Sequence, residues 1–141
     1  DVADYLYGGS GVDDIGGGKG SDFISGGAND DRICGDLFQF SGGVITCNTD
    51  GINDGADHII GDAGDDDIKS QGAADKVCDS NGDTIHLGAD DDEIWHLGTP
   101  NSLHCGSGID AYTSGLSGTS CDTPVSHSNV CIFDPSTWLV P

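Results

Sequence analysis

The chain has almost no glutamate, few basic residues and no methionine. Of its 25 acidic residues among 141, Glu93 is the single glutamate and the rest are aspartate, and four Lys and Arg residues leave a formal net charge of −21. Contacts with nucleic-acid phosphates and anionic lipids need Lys and Arg, so this composition excludes both as partners. No apolar run approaches the roughly 20 residues of a membrane span, so none is expected.

Glycine and aspartate are abundant, and both favour turns over helices. Gly supplies 24 residues. A merely solvated acidic surface would mix Glu with Asp, so the selection of Asp beside Gly indicates short carboxylates held near tight backbone turns. The length fits one main domain.

Nine-residue units repeat along the chain. Three of them follow one another without a gap and read GGSGVDDIG, GGKGSDFIS and GGANDDRIC, at residues 8–16, 17–25 and 26–34. More degenerate units occupy 52–60, 61–69, 70–78, 79–86, 87–95 and 105–113. We therefore expect a repeat domain over residues 1–113, with insertions at about 35–51 and 96–104, and a separate C-terminal tail over 114–141.

Each unit joins a glycine turn to a short extended segment. Glycine at the first, second and fourth places allows positive φ and close backbone approach. Side chains alternate in the extended part, so the eighth residue points inward and the seventh and ninth point outward. The predicted core residues at the eighth place are Leu6, Ile15, Ile24, Ile33, Ile59, Ile68, Val77, Ile85, Ile94 and Tyr112.

The sixth place adds a carboxylate to the carbonyl oxygens of each turn. All these candidate ligands are oxygens, which suits a hard cation, and irregular cages of carbonyls and carboxylates favour Ca²⁺ over Mg²⁺. The sixth-place residues are Asp4, Asp13, Asp22, Asp31, Asp57, Asp66, Asp75, Asp83, Asp92 and Asp110.

The pattern GGxGxDxUx resembles the nonapeptide of the repeats-in-toxin (RTX), or haemolysin-type, calcium-binding proteins. The resemblance covers residues 4–34 and 52–113, in what would be a cysteine-containing secreted variant. It implies an all-β fold, a parallel β-roll with several Ca²⁺ ions in rows between its turns. It also implies that the sixth-place aspartates bind the ions together with carbonyl oxygens of the glycine turns, which begin at Gly8, Gly17, Gly26 and Gly61.

Calcium is expected to drive folding of the chain. About six to eight bound ions would bring roughly +12 to +16 against the negative charge. Without them, the stacked aspartates repel one another, and one aliphatic side chain per unit makes a thin core. We therefore expect the isolated chain to be largely unfolded without metal unless disulfides hold it.

The cysteines indicate an oxidising compartment. The chain has six, an even number, and no CxxC motif. Disulfides in a secreted protein are the favoured interpretation over reduced thiols in the cytosol. The chain begins at Asp1 without Met or a leader pattern, so we interpret it as a mature or excised segment. Six cysteines allow 15 pairings, and pairing of neighbours would join Cys34 with Cys47, Cys78 with Cys105 and Cys121 with Cys131.

No catalytic constellation stands out, and no enzymatic function is expected. No GxSxG motif surrounds a serine. His86 and His96 flank a unit and would form a zinc site only if they met on the outer face, so solvated surface histidines are the simpler interpretation.

The two ends of a repeat fold expose unpaired strand edges. The register begins at Asp4 with almost no cap before it, and the tail either caps its own chain, stapled by a disulfide, or pairs with the first rung of a neighbour.

The sequence thus favours a secreted, calcium-binding structural or adhesive module, which would assemble head-to-tail in an extracellular fibre or matrix. The alternative is an accessory domain of a secreted enzyme or toxin, with a role in folding, secretion or polysaccharide binding.

Overall fold

The structure is a computed structural model that describes residues 2–47, 55–79, 82–96, 102–113 and 123–125. These residues form an all-β solenoid of about five turns, a parallel β-roll, as the sequence predicted. They contain no helix with the length and apolar character needed to cross a membrane. The strands are β1 (Tyr5–Ser10), β2 (Asp14–Gly16), β3 (Phe23–Ala28), β4 (Arg32–Cys34), β5 (Phe38–Ser41), β6 (Val44–Cys47), β7 (His58–Ala63), β8 (Asp67–Gln71), β9 (Lys76–Asp79), β10 (Thr84–Gly88), β11 (Glu93–His96), β12 (Ser102–His104), β13 (Ala111–Thr113) and β14 (Thr123–Val125).

Successive nine-residue units alternate between two parallel sheets. Sheet A has the order β1-β3-β7-β9-β11-β13-β14, and sheet B has the order β12-β10-β8-β4-β2. Two units make one turn of the roll, so equivalent residues in neighbouring turns lie 17 or 18 residues apart, as Asp66 and Asp83 or Asp4 and Asp22 do. The spacing is 35 residues where the first insertion intervenes, between Asp22 and Asp57.

The core is a double column of eighth-place side chains between the sheets. The register pairs Leu6 with Ile24 in sheet A and Ile15 with Ile33 in sheet B. Leu6 and Ile15, at the first rung, are partly buried against the column. The predicted core residues that are at most 1% exposed are Ile24, Ile33, Ile59, Ile68, Val77, Ile85 and Ile94. Tyr112 lies opposite Ile94 on β13.

The first insertion begins as an antiparallel hairpin of β5 and β6. A disulfide between Cys34 and Cys47 ties its far end to sheet B, which confirms the first predicted pairing. Phe38 lies against Gly16, while Phe40 and Val44 are exposed. The hairpin therefore packs one edge on the roll and leaves its tip in solvent.

The second predicted insertion, at residues 96–104, needs correction. Its last residues, Ser102–His104, form β12 and pair in parallel with β10. Leu103 faces Ile85 and packs on the core in the inward eighth place. The segment is a degenerate unit that has Asn101 where its neighbours have Asp, and the loss of that marker concealed its register.

The tail contributes a last strand to sheet A. β14 pairs in parallel with β13, with Ala111 opposite Thr123. This pairing agrees with a tail that caps its own chain. Cys78 and Cys105 are both disulfide-bonded, and their pairing with each other stays a prediction. The predicted bond between Cys121 and Cys131 lies outside the described residues.

Candidate metal centre

Two rows of turns join the sheets. The A-to-B turns, which follow strands of sheet A, include residues 8–13, 26–31 and 61–66. The B-to-A turns, which follow strands of sheet B, are residues 17–22, 35–57, 70–75, 87–92 and 105–110. Every turn of these two rows ends on a sixth-place aspartate, so the ten predicted aspartates fall on two opposite edges of the roll.

The sixth-place aspartates form two hydrogen-bonded ladders. In each one, the backbone N–H of an aspartate donates to the Oδ1 of its equivalent one turn later. On the A-to-B side the ladder runs Asp13, Asp31, Asp66, Asp83, with N–O distances of 2.7–2.8 Å. On the B-to-A side it runs Asp4, Asp22, Asp57, Asp75, Asp92, Asp110, with distances of 2.8–3.2 Å.

Burial of these aspartates is nearly complete. Asp4 is exposed and Asp13 is half-buried at the first rung, but the other eight are at most 3% exposed. The second carboxylate oxygen, Oδ2, is buried without a hydrogen-bond partner in Asp13, Asp22, Asp31, Asp66 and Asp92. A buried carboxylate oxygen without a partner is costly, so this arrangement needs a proton or a cation beside Oδ2.

The first-place glycines bring a second oxygen to the same spot. A methyl group on Gly26 would lie 2.6 Å from Asp31 Oδ2 and 2.8 Å from the carbonyl oxygen of Gly61 in the next turn. On Gly8 it would meet Asp13 Oδ2 and the carbonyl oxygen of Gly26, at 2.8 and 2.5 Å. Gly17 has the equivalent neighbours, Asp22 Oδ2 and a carbonyl oxygen of the next turn. Carboxylate and carbonyl oxygens thus converge where only glycine leaves room.

Positive φ occurs at the second and fourth places. It persists where glycine has been lost, at Asp62 (φ 74°) and Gln71 (φ 88°) in the second place and at Ala73 (φ 68°) in the fourth. At the first place, glycine instead lets the carboxylate and carbonyl oxygens approach the backbone closely. This refines the expectation that glycines at all three places supply positive φ. The degenerate units therefore keep the turn conformation at some cost in backbone strain.

Burial shifts the acid–base behaviour of the ladder. It raises the pKa of Asp66 from 3.8 to about 6, of Asp92 to about 7 and of Asp75 to about 9. The hydrogen bond from the preceding rung's N–H opposes this shift, and neighbouring aspartates add to it by repulsion. Burial likewise raises the pKa of Asp22. The folded chain without metal therefore resists ionisation of these side chains.

The donor set fits a calcium ion. Nowhere in the described part of the chain do three His, Cys, Asp or Glu side chains converge on one point. Any ion between turns would thus combine few carboxylates with backbone carbonyl oxygens. Ca²⁺ accepts such mixed, irregular oxygen cages at 2.3–2.6 Å, whereas zinc favours nitrogen and sulfur in a tetrahedron.

Asp36 is a buried acid that the repeat register did not identify. It is 2% exposed. Its Oδ1 accepts a hydrogen bond from the N–H of Gly55 at 3.0 Å, and its own N–H donates to Gln71 Oε1 at 2.9 Å. Asp36 thus joins the two ends of the first insertion and anchors them to the next turn.

The strands that carry His86 and His96 belong to different sheets, whereas the zinc alternative required the two residues on one face. His86 lies in sheet B and His96 in sheet A, because consecutive units alternate between the sheets. His86 instead stacks on His104 of the neighbouring strand, with ring centroids 4.5 Å apart. Ser102 Oγ and His104 Nε2 share a hydrogen bond of 2.9 Å on the same face.

These features define a calcium-binding β-roll, and comparison with known families agrees. Residues 7–38 and 53–77 match the RTX calcium-binding nonapeptide repeat (4 copies). These two stretches carry copies of that repeat, and RTX nonapeptides bind Ca²⁺. Comparisons with curated proteins and with solved structures gave no match.

Proposed function

We propose that this chain is a secreted structural module whose folding is driven by calcium bound along both turn rows. The buried, unpartnered Oδ2 atoms of the aspartate ladders carry this proposal. After the first rung of each ladder, Oδ1 is already held by a backbone N–H of the preceding rung. The remaining carboxylate oxygen, Oδ2, faces the carbonyl oxygen of a turn. A divalent cation between them would neutralise the carboxylate and bind the carbonyl oxygen.

The proposed ligands lie among the ten sixth-place aspartates, together with the carbonyl oxygens of the glycine turns. Gly26 and Gly61 present their carbonyl oxygens to the turns before them, beside Asp13 and Asp31. Gly8 and Gly17 begin the first A-to-B turn and the first B-to-A turn. Their carbonyl oxygens are proposed as ligands in the same way. When bound, Ca²⁺ would supply the positive charge that two columns of buried carboxylates lack.

The experiment is calcium titration of the EGTA-treated chain, followed by far-ultraviolet circular dichroism. We expect a weakly structured spectrum in EGTA and a strand-rich spectrum after Ca²⁺ is added, because metal binding and folding are coupled. NaCl at equal ionic strength controls for screening, and Mg²⁺ controls for divalent charge. A strand-rich spectrum that EGTA leaves unchanged contradicts the proposal.

An extracellular location follows from the same proposal. The Cys34–Cys47 bond, together with the disulfides of Cys78 and Cys105, is stable in oxidising compartments. Extracellular calcium would keep the sites filled there. Within the described residues, we find no arrangement of groups that suggests catalysis, and we propose a structural or adhesive role for the module.

The N-terminal end of the roll offers a surface for self-association. β1 and β2 are the edge strands of sheets A and B there. Leu6 and Ile15 are only partly buried at that end, and Tyr7 is 74% exposed. We propose that this edge pairs with the C-terminal end of another copy in a fibre or matrix. Sedimentation in calcium tests this, and a monomer at every concentration contradicts it.

A polysaccharide-binding role, as the accessory domain of a larger enzyme or toxin, is the second candidate. Tyr5 and Phe23 place their rings side by side, with centroids 5.9 Å apart, and Tyr5 is 57% exposed. Aromatic faces bind the apolar faces of sugars. Affinity electrophoresis in polysaccharide gels tests this candidate, and Tyr5→Ala should abolish retardation whereas Val12→Ala, at another exposed position, should not.

A further inference from the structure

In the B-to-A row, the first-place residue changes from glycine to a larger residue halfway along the roll. Its first-place residues are glycines in the first two turns, Gly17 and Gly35, and then Ser70, Leu87 and Cys105. These last three side chains are buried, at 0%, 0% and 1% exposure. The row therefore carries side chains in its C-terminal half at the place that is left open in its N-terminal half.

In the glycine turns, the open place is where two oxygens meet. A methyl group on Gly35 would lie 2.5 Å from Asp57 Oδ2 and 2.5 Å from the carbonyl oxygen of Ser70. Both distances are within the range of calcium–oxygen bonds, so one ion near this point can reach both oxygens. A side chain here would push the two oxygens away from each other.

Ser70 is the first residue of the row to place a side chain at that point. Its hydroxyl donates a 2.7 Å hydrogen bond to the carbonyl oxygen of Leu87, the next first-place residue. This is the carbonyl that an ion would bind in a glycine turn. A hydroxyl hydrogen thus occupies the position of the cation between these two turns.

Leu87 and Cys105 continue the replacement with apolar groups. Both belong to the buried cluster of the core, together with Ile85 and Ile94. Their carbon and sulfur atoms offer a hard cation no ligand. Asp75 and Asp92 keep the ladder hydrogen bond and a buried Oδ2, so the first-place residue, and not the aspartate, distinguishes the two halves.

We propose that calcium occupies the B-to-A row only in turns 17–22 and 35–57, and that Ser70, Leu87 and Cys105 replace it in turns 70–75, 87–92 and 105–110. This inference rests on the proposed calcium-driven folding and specifies which turns contribute to it. The N-terminal half of the row is held by ions, and the C-terminal half is held by side chains.

The test is a matched pair of variants, Asp22→Asn and Asp92→Asn, in the full chain. Asparagine keeps the Oδ1 that accepts the 2.8 Å bond from Asp4 in one case and from Asp75 in the other, and it removes the charge. Native mass spectrometry counts the bound ions of the calcium-loaded chains. We expect Asp22→Asn to bind at least one ion fewer than the unsubstituted chain and Asp92→Asn to bind the same number.

Loss of an ion from Asp92→Asn would overturn the inference. If Asp22→Asn does not fold, anomalous scattering from crystals of the unsubstituted chain grown in calcium decides. Peaks beside Gly17 and Gly35 with none beside Leu87 support the inference, and a peak beside Leu87 refutes it. An unsubstituted chain that binds no calcium at all would instead contradict the proposed function.

Discussion

Mild acid should fold this chain without calcium. The buried aspartates of the ladders oppose folding mainly through their charge, and a proton removes that charge as a cation would. Burial raises the pKa of Asp66 to about 6, of Asp92 to about 7 and of Asp75 to about 9, against an ordinary value of 3.8. Lowering the pH from 8 to 5 in EGTA therefore protonates the folded state while the unfolded chain stays ionised.

The direction of the effect follows from the raised pKa values. Since the folded state binds more protons than the unfolded state, the free energy of unfolding falls as pH rises. The contribution is fully present below the unfolded pKa of 3.8 and is lost as pH rises through the folded pKa values of about 6, 7 and 9. Acid should thus stabilise the metal-free roll and alkali should unfold it.

The magnitude is large for a chain of this size. Each pH unit over which a group is protonated only in the folded state contributes about 1.4 kcal/mol. Between pH 8 and pH 5 this amounts to about 1 kcal/mol for Asp66, about 3 kcal/mol for Asp92 and about 4 kcal/mol for Asp75. Together they approach the total stability of an ordinary domain, which is about 5–15 kcal/mol.

Circular dichroism in EGTA, recorded from pH 8 to pH 5, measures the effect. Staying above the sequence pI of about 4.1 keeps the chain soluble. We expect strand signal to grow as pH falls in EGTA, and to stay high at every pH in calcium, because ions in the other turns keep the roll folded. Asp92→Asn should flatten the pH dependence, whereas Asp14→Asn, at a surface position, should leave it intact.

Two outcomes would refute the reasoning. A chain in EGTA that is equally unfolded at pH 8 and pH 5 would show that carboxylate charge is not what opposes folding. A chain in EGTA that is equally folded at both would show that the buried ladder costs nothing without metal.

Three further predictions concern the stability of the calcium-loaded chain in urea. Ala73→Gly should raise the free energy of unfolding by about 1 kcal/mol, because Ala73 has a φ of 68°, whereas the same change at Ala63, which lacks positive φ, should lower it. Ile68→Ala should cost about 2–5 kcal/mol, because this side chain is fully buried, and Val12→Ala at an exposed site should cost less than about 0.5 kcal/mol. Cys47→Ser should cost about 3 kcal/mol or less by opening a 13-residue loop, and Cys34→Ser should cost a similar amount, because either change removes the same bond.

The repeat made the core and the acidic edges predictable. An aliphatic residue at the eighth place and an aspartate at the sixth survive in nearly all units, with Tyr112 and Asn101 as exceptions, and even in units that have lost glycines, such as the one beginning at Ser70. Both positions are set by the alternation of side chains within a single strand. That alternation can be read from the sequence of one unit. The inward column and the set of sixth-place aspartates therefore followed from the sequence, whereas the division of the aspartates into two rows emerged from the structure.

Features that depend on stacking between turns were not predictable in the same way. The Oδ1 ladder joins residues 17, 18 or 35 positions apart, and its hydrogen bonds exist only once the turns are stacked. The role of Asp36 depends on the chain returning at Gly55 after the hairpin. β12 was missed because its unit lost the glycines and aspartate that mark the register, although Leu103 kept the inward place.

The ladder gives a physical reason for the choice of aspartate over glutamate. A sixth-place carboxylate must accept an N–H from the neighbouring rung at about 2.8 Å and hold its other oxygen against a turn carbonyl. One methylene group sets that reach, and the second methylene of glutamate would move both oxygens out of register while adding side-chain entropy to be lost on folding. Glu93 faces no such constraint, because it lies in the outward seventh place of β11. There its longer side chain reaches Lys76 on the adjacent strand, at 3.5 Å. The imbalance between the two acids thus reflects the geometry of stacked turns, and a sixth-place Asp→Glu change should disturb folding although the charge is unchanged.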